Sequence, residues 1–144
     1  MPTATVADAA LASALRMTVM RLARRLRAQR VDTGHTLSQL AALATVERHG
    51  SMSPGELAAH EKVQPPSMTK LIARLEADGL LQRSPHPTDR RQQLLALTRA
   101  GRDLLAADRR RRDAWLSTHL ATLDADQLTA LAQVLPLLQR LAES

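Results

Sequence analysis

The chain has no cysteine among its 144 residues. That excludes disulfides, thiolate metal sites and cysteine-based redox switching. Phenylalanine and tyrosine are also missing, and Trp115 is the single aromatic residue of the Phe/Tyr/Trp class. The core must therefore be built from Leu, Ala, Val, Ile and Met. The scarcity of β-branched and aromatic runs argues against a large sheet and for helices packed on helices. No apolar run approaches the ~20 residues of a membrane span, and Met1 to Ala10 has neither the basic start nor the apolar stretch of an export signal. The expectation is a soluble cytoplasmic protein with no membrane partner. Catalytic signatures are missing too: there is no Gly-x-Ser-x-Gly, no His-Glu-x-x-His and no phosphate-cradling glycine loop, so an enzyme is not expected.

What is present is positive charge. Lys and Arg number 20 against 14 Asp and Glu, a formal net charge of +6. This favours a polyanionic partner without proving one. Of those 20 cations 18 are arginine. A planar guanidinium grips phosphate or guanine bidentately, although a GC-rich genome gives the same bias without any functional reason.

Local signals divide the chain into six helices and a hairpin. Leu11, Leu15, Val19, Leu22 and Leu26 recur at steps of three or four, which predicts an amphipathic first helix, interrupted at Val31 to Gly34. Thr36-Leu37-Ser38-Gln39 is a capping box for a second helix through about Arg48, closed by Gly50. Ser53-Pro54-Gly55-Glu56 opens a short third helix, with its body over Glu56 to Glu61. Pro65-Pro66-Ser67 starts a fourth, whose Met68, Leu71, Ile72 and Leu75 share a core face and which ends at Gly79. Leu80-Leu81 and Leu94 to Leu97 flank a turn-rich stretch from Gln82 to Gln93, predicting a small β-hairpin. Thr98 caps a long fifth helix to about Leu120. Asp124 to Gln127 starts a sixth, carrying Leu128, Leu131, Leu135 and Leu138, in which Pro136 is expected to produce a kink. The fold class is thus mainly α with a small β-hairpin.

A short helix, a tight turn, an amphipathic helix and an arginine-rich hairpin follow the plan of a winged helix-turn-helix. Asp89-Arg90-Arg91, then Leu97-Thr98, then Gly101 resembles the wing pattern of the MarR (multiple antibiotic resistance regulator) family. Pro66 to Lys70, with Leu75-Glu76 and Gly79-Leu80, resembles that family's recognition helix, where the basic position is often Arg rather than Lys70. The likeness runs from about Leu11 to Leu141. It implies one domain over 1–144, with a winged helix-turn-helix module at 34–98 and a helical dimerisation region at 8–31 and 99–144. It further implies a homodimeric transcriptional regulator, a repressor, that binds a pseudo-palindromic operator in double-stranded DNA and is released by a small phenolic or anionic effector.

Helical rotation adds a residue-level expectation. With Met68, Leu71, Ile72 and Leu75 inward, Pro66, Lys70, Ala73 and Ala77 point outward, flanked by Ser67, Thr69 and Arg74. Small outward residues let a helix approach the floor of a major groove, where Gln64, Pro65, Pro66, Ser67, Thr69, Lys70 and Arg74 form the candidate reading surface. Arg90 and Arg91 at the hairpin tip suit a minor groove. Asp89 is expected to hold the turn and orient a neighbouring arginine, and Ser53 to cap the DNA-binding module. The apolar stripes of the first and last two helices exceed what the small central module can cover, which predicts packing across a two-fold axis. Arg109 to Arg112 cover a full helical turn and are expected to be largely solvated. The resemblance also implies an effector pocket, for which Met17, Met20, Arg21, His35, Leu40 and Trp115 are the candidates. No cofactor is expected. The five histidines show no paired ligand spacing for zinc. Two other readings stay open: an architectural protein that binds DNA without sequence preference, and a protein-interaction module with no DNA affinity.

Overall fold

The computed structural model describes residues 6–29 and 34–144, with side chains from residue 8 onward. The predicted interruption at Val31 to Thr33 lies outside the described residues. Eight elements follow in order: α1 (Val6–Ala28), α2 (Leu37–His49), α3 (Pro54–Glu61), α4 (Pro65–Ala77), β1 (Leu81–Pro85), β2 (Gln93–Leu97), α5 (Arg99–Leu120) and α6 (Ala125–Glu143). They fall into two compact units, Val31–Arg109 and the remainder, Met1–Arg30 with Arg110–Ser144.

In the Val31–Arg109 unit the helix starts are set by side chains. Thr36, Ser53 and Glu56, with Gln39, close two reciprocal capping boxes. Thr36 and Ser53 hydroxyls accept the backbone N–H three residues on, while the Gln39 and Glu56 side chains accept the N–H of the cap residue. Each such cap contributes about 1 kcal/mol by satisfying amides the helix leaves open. α2 and α3 pack on one another, and α3 on α4. The core they enclose contains Leu43, Leu57, Met68, Ile72, Leu75 and Leu95, all essentially fully buried. The face predicted for α4 is the one buried, with Leu71 half-buried at its edge. By area transfer, each such leucine or isoleucine stabilises the unit by about 1.5–3 kcal/mol.

The hairpin is longer than its leucines predict. β1 and β2 pair antiparallel from Leu81 with Leu97 to Pro85 with Gln93, so polar Gln82, Arg83 and Ser84 lie within a strand. Apolar alternation reports only the half of a strand that faces a core, and these three residues are exposed. Leu80 is excluded from β1 because its N–H closes the end of α4 on the Leu75 carbonyl, 2.9 Å away. A further bridge was not legible: Met52 and Leu95 exchange both backbone hydrogen bonds, at 3.2 and 2.7 Å, adding a third short segment to the hairpin.

The hairpin's end is locked to the start of α5 through Thr98. Its N–H donates to the Leu80 carbonyl, its hydroxyl donates to the Gly79 carbonyl, and the same hydroxyl accepts the Gly101 N–H. Gly101 is buried here, and a Cβ at that position would lie 2.4 Å from the Leu80 carbonyl oxygen. A glycine is required by this close approach of backbone to backbone.

The other unit is built differently. α6 has the predicted capping box, Asp124 with Gln127, and continues through Pro136 to Glu143. Yet none of its residues is buried within the single chain. Leu128, Leu131, Val134, Leu135, Leu137 and Leu141 are 40–61% exposed, and Leu11, Met17, Val19, Met20 and Leu22 of α1 are also open. Among the described residues no helix is long and apolar enough to cross a membrane.

Candidate nucleic-acid interface

The turn between α3 and α4 is made by three residues, Lys62 to Gln64. Lys62 takes the left-handed conformation, φ 54° and ψ 45°, with its N–H on Ala59 and the Val63 N–H on Ala58. No glycine marks this turn in the sequence, so it is found only from the structure. Gln64 is the N-cap residue of α4 in extended conformation, and Pro65 and Pro66 occupy the first turn, where a missing N–H is harmless. α4 thereby starts sharply and exposes its N-terminal end.

Every residue expected on the outer face of α4 is exposed: Gln64, Pro65, Pro66, Ser67, Thr69, Lys70, Ala73, Arg74 and Ala77. Thr69 donates its hydroxyl proton to the Pro65 carbonyl at 2.9 Å, leaving the oxygen free to accept. Arg74 is held at its base. Its Nε donates to Asp78 Oδ2 at 3.0 Å, and His35 Nε2 lies 3.0 Å from the same oxygen. The Arg74 hydrogen bond, reinforced by His35, keeps the Asp78 carboxyl below its ordinary range.

The wing is tied to α4 by Arg83, whose Nε donates to Glu76 Oε1 at 2.7 Å and whose Nη1 donates to Gln93 Oε1 at 3.3 Å. Its tip, residues 86–92, is closed by the His86 N–H on the Gln92 carbonyl and the Gln92 N–H on the Asp89 carbonyl. Asp89 holds this turn, but through the main chain: its Oδ1 accepts the Arg91 backbone N–H at 3.0 Å. A residue outside the sequence-based candidates takes part. His86 Nδ1 accepts the backbone N–H groups of Thr88 at 3.2 Å and Asp89 at 3.1 Å. Nothing in the sequence distinguishes an imidazole acting as a turn cap from an exposed loop histidine.

Arg90 and Arg91 are exposed, and with Arg83, Gln92 and Gln93 they border a recess of about 530 Å³ whose other wall is Ser53-Pro54-Gly55 at the start of α3. Three guanidinium groups thus stand opposite the N-terminal end of a helix, an arrangement suited to phosphate oxygens.

The proposed effector residues lie in several places. Met17, Met20 and Arg21 share a shallow recess of about 200 Å³ on α1 with Arg16 and Arg24. Trp115 is half-buried between the Arg25 guanidinium, 5.3 Å from its ring, and the His119 ring at 4.1 Å. In the other unit His35 is paired with Asp78, and Leu40 is 5% exposed. Of the four-arginine run, Arg109 pairs with Glu47, Arg110 and Arg111 are exposed, and Arg112 is half-buried.

This arrangement has close relatives. An HTH-type transcriptional regulator of Mycobacterium leprae is 45% identical over 136 residues, covering 94% of this chain and 95% of that protein. The MarR family model matches residues 35–92, the span from the start of α2 to the wing tip. The chain belongs to the MarR family. The HTH-type transcriptional repressor MdtR of Bacillus subtilis is 31% identical over 77% of this chain and 72% of its own length. A crystal structure of a Pseudomonas aeruginosa protein, 36% identical, superposes with a TM-score of 0.84 over 97% of this chain and 99% of that one. The mainly helical winged helix-turn-helix fold and a role in transcription regulation through a DNA-binding fold follow from family membership.

Proposed function

We propose that this MarR-family protein is a homodimeric repressor that acts in the cytoplasm on a pseudo-palindromic operator, with residues 34–98 reading DNA and residues 8–31 and 99–144 forming the dimer. The observation that carries the DNA reading is the exposed face of α4. Ser67, Thr69 and Lys70 lie at its open N-terminal end among small neighbours, and Arg90 and Arg91 stand on the wing of the same unit. α4 enters the major groove, where Thr69 and Lys70 meet base edges, while the wing arginines enter the minor groove and Ser53 supports a phosphate contact. Two such modules related by a dyad address half-sites about one helical turn, ~10 bp, apart.

The dimer rests on α6, whose leucine stripe has no buried residue within one chain. Repression is supported by the likeness to MdtR. For the effector, the methionine surface and guanidinium groups of Met17, Met20 and Arg21 fit an anionic or phenolic molecule.

Titration against operator, point-substituted operator and random duplex at several salt concentrations tests the assignment. Lys70→Ala or Thr69→Ala should cost roughly 1–3 kcal/mol on the operator and relax preference at symmetric positions. Arg91→Ala should weaken all three duplexes and make the salt slope shallower by about one unit. Equal loss on every duplex for all three variants would instead identify an architectural protein without sequence preference.

A further inference from the structure

The histidine at the wing tip has a role that its hydrogen bonds define. His86 is half-buried, and its Nδ1 faces two backbone N–H donors, those of Thr88 at 3.2 Å and Asp89 at 3.1 Å, with the Thr88 hydroxyl at 3.3 Å. Amide N–H groups only donate, so Nδ1 must carry a lone pair and the ring must be neutral with its proton on Nε2. The arrangement is that of an Asx turn with imidazole in place of the carboxylate or amide. Two links further on stands the arginine: the Asp89 N–H is held by His86, and the Asp89 carboxylate holds the Arg91 N–H at 3.0 Å.

We propose that neutral His86 is the positioning residue of the wing, fixing the tip turn that presents Arg90 and Arg91, and that protonating its ring releases the turn and weakens DNA binding. The proposal rests on the reading that the wing contacts DNA. A proton on Nδ1 turns the acceptor into a donor aimed at two other donors, so both backbone bonds are lost together. The charged groups around the ring are Asp89, Arg90 and Arg91 in the turn and Arg83 on β1, the last neutralised by Glu76 of α4. The imidazolium's added charge attracts phosphate but is screened at physiological salt, whereas releasing the turn misplaces two guanidinium groups.

The experiment compares wild type with His86→Asn and His86→Ala for affinity to operator and random duplex between about pH 5.5 and 8. Asn Oδ1 stands where Nδ1 stands and accepts the same N–H bonds but cannot titrate. Losing the two bonds, worth about 0.5 kcal/mol net each at so open a site, corresponds together to roughly a fivefold change. At the alkaline end His86→Asn should bind within about twofold of wild type and His86→Ala about fivefold more weakly, on both duplexes. On acidification the ratio of wild-type to His86→Asn affinity should fall about fivefold. His35, His49, His60 and His119 are common to both proteins and cancel in this ratio. Nitrogen NMR of the imidazoles supplies a readout without DNA: His86 should be the Nε2–H tautomer at alkaline pH, and an Nδ1–H tautomer would overturn the proposal. Parallel pH profiles for wild type and His86→Asn would overturn it as well, while Arg91→Ala still weakened binding. If Arg91→Ala itself left affinity unchanged, the wing reading would fall and this proposal with it.

Discussion

The two compact units of this chain use similar residues to different ends. In Val31–Arg109 the apolar positions at helical spacing close on one another, and Leu43, Leu57, Ile72, Leu75 and Leu95 are wholly removed from solvent. In the unit formed by Met1–Arg30 with Arg110–Ser144, α6 is regularly spaced and well capped but buries none of its leucines. A core that completes itself can specify a surface, which is how α4 comes to show Ser67, Thr69 and Lys70. A helix whose stripe stays open forgoes the packing of an apolar face from which most helical stability in proteins comes. Under the proposed function a second copy of the chain supplies that packing, so one unit would carry recognition and the other assembly.

The sharpest way to break this contrast is to place a charge in the open stripe. Leu131→Asp should shift dimer dissociation by about 100-fold or more, because burying an unpaired carboxylate costs several kcal/mol, and the monomer it releases should lose helix content. Sedimentation equilibrium reads this directly. The wild-type melting temperature should also rise with protein concentration and that of the variant should not. A wild-type chain that sediments as a monomer at micromolar concentration would remove the dimer from the reading.

A substitution in the closed unit should act without touching assembly. Gly101→Ala forces a methyl group to within 2.4 Å of the Leu80 carbonyl and 3.1 Å of Leu97 Cδ2. The carbonyl already accepts the Thr98 N–H, a bond that any retreat would stretch, so the expected cost is about 1–3 kcal/mol. Denaturant unfolding should show a lower midpoint with an unchanged slope. Thr98→Ala, which removes the hydroxyl bridging Gly79 and Gly101, should lower the midpoint less, by about 1 kcal/mol.

These sites also mark what was legible in the sequence. Wherever a local rule acts, the reading was specific: three capping boxes, the buried face of α4 and the exposure of its opposite face all follow from spacing of four residues or fewer. Long-range pairing left no such trace. The Met52–Leu95 bridge joins residues 43 positions apart through main-chain atoms that carry no residue signature. The polar half of β1 is paired but faces solvent, so its alternation says nothing. The left-handed turn at Lys62 lacks the glycine that usually announces one. The pairing of His35 with Asp78, 43 residues away, is another long-range contact that leaves no mark in the sequence. For the outer face of α4, the exposure of its residues was legible in the sequence. The side-chain bonds that hold Arg74 and Arg83 in place belong to tertiary structure.

The smallest effect concerns one of those bonds and is best seen through pH. Asp78 has its carboxyl lowered from 3.8, first by the Arg74 hydrogen bond and then by His35. A carboxyl lowered on folding contributes stability that is complete above its unfolded value and vanishes as pH falls through the folded one. Asp78→Asn should therefore be less stable than wild type from neutral pH down to about pH 5, and the gap should close on further acidification as wild-type Asp78 takes up its proton. The side chain keeps 28% of its accessible surface, so solvent screens the pair and the difference will be small. Measuring both proteins in parallel cancels the other carboxylates. Because Asp78 lies in the unit with its own core, the gap and its pH dependence should be the same at every protein concentration, whereas any contribution from α6 should change with concentration. A gap that stayed constant below pH 4, or one that varied with concentration, would place the stabilising role of Asp78 elsewhere than in its bonds to Arg74 and His35.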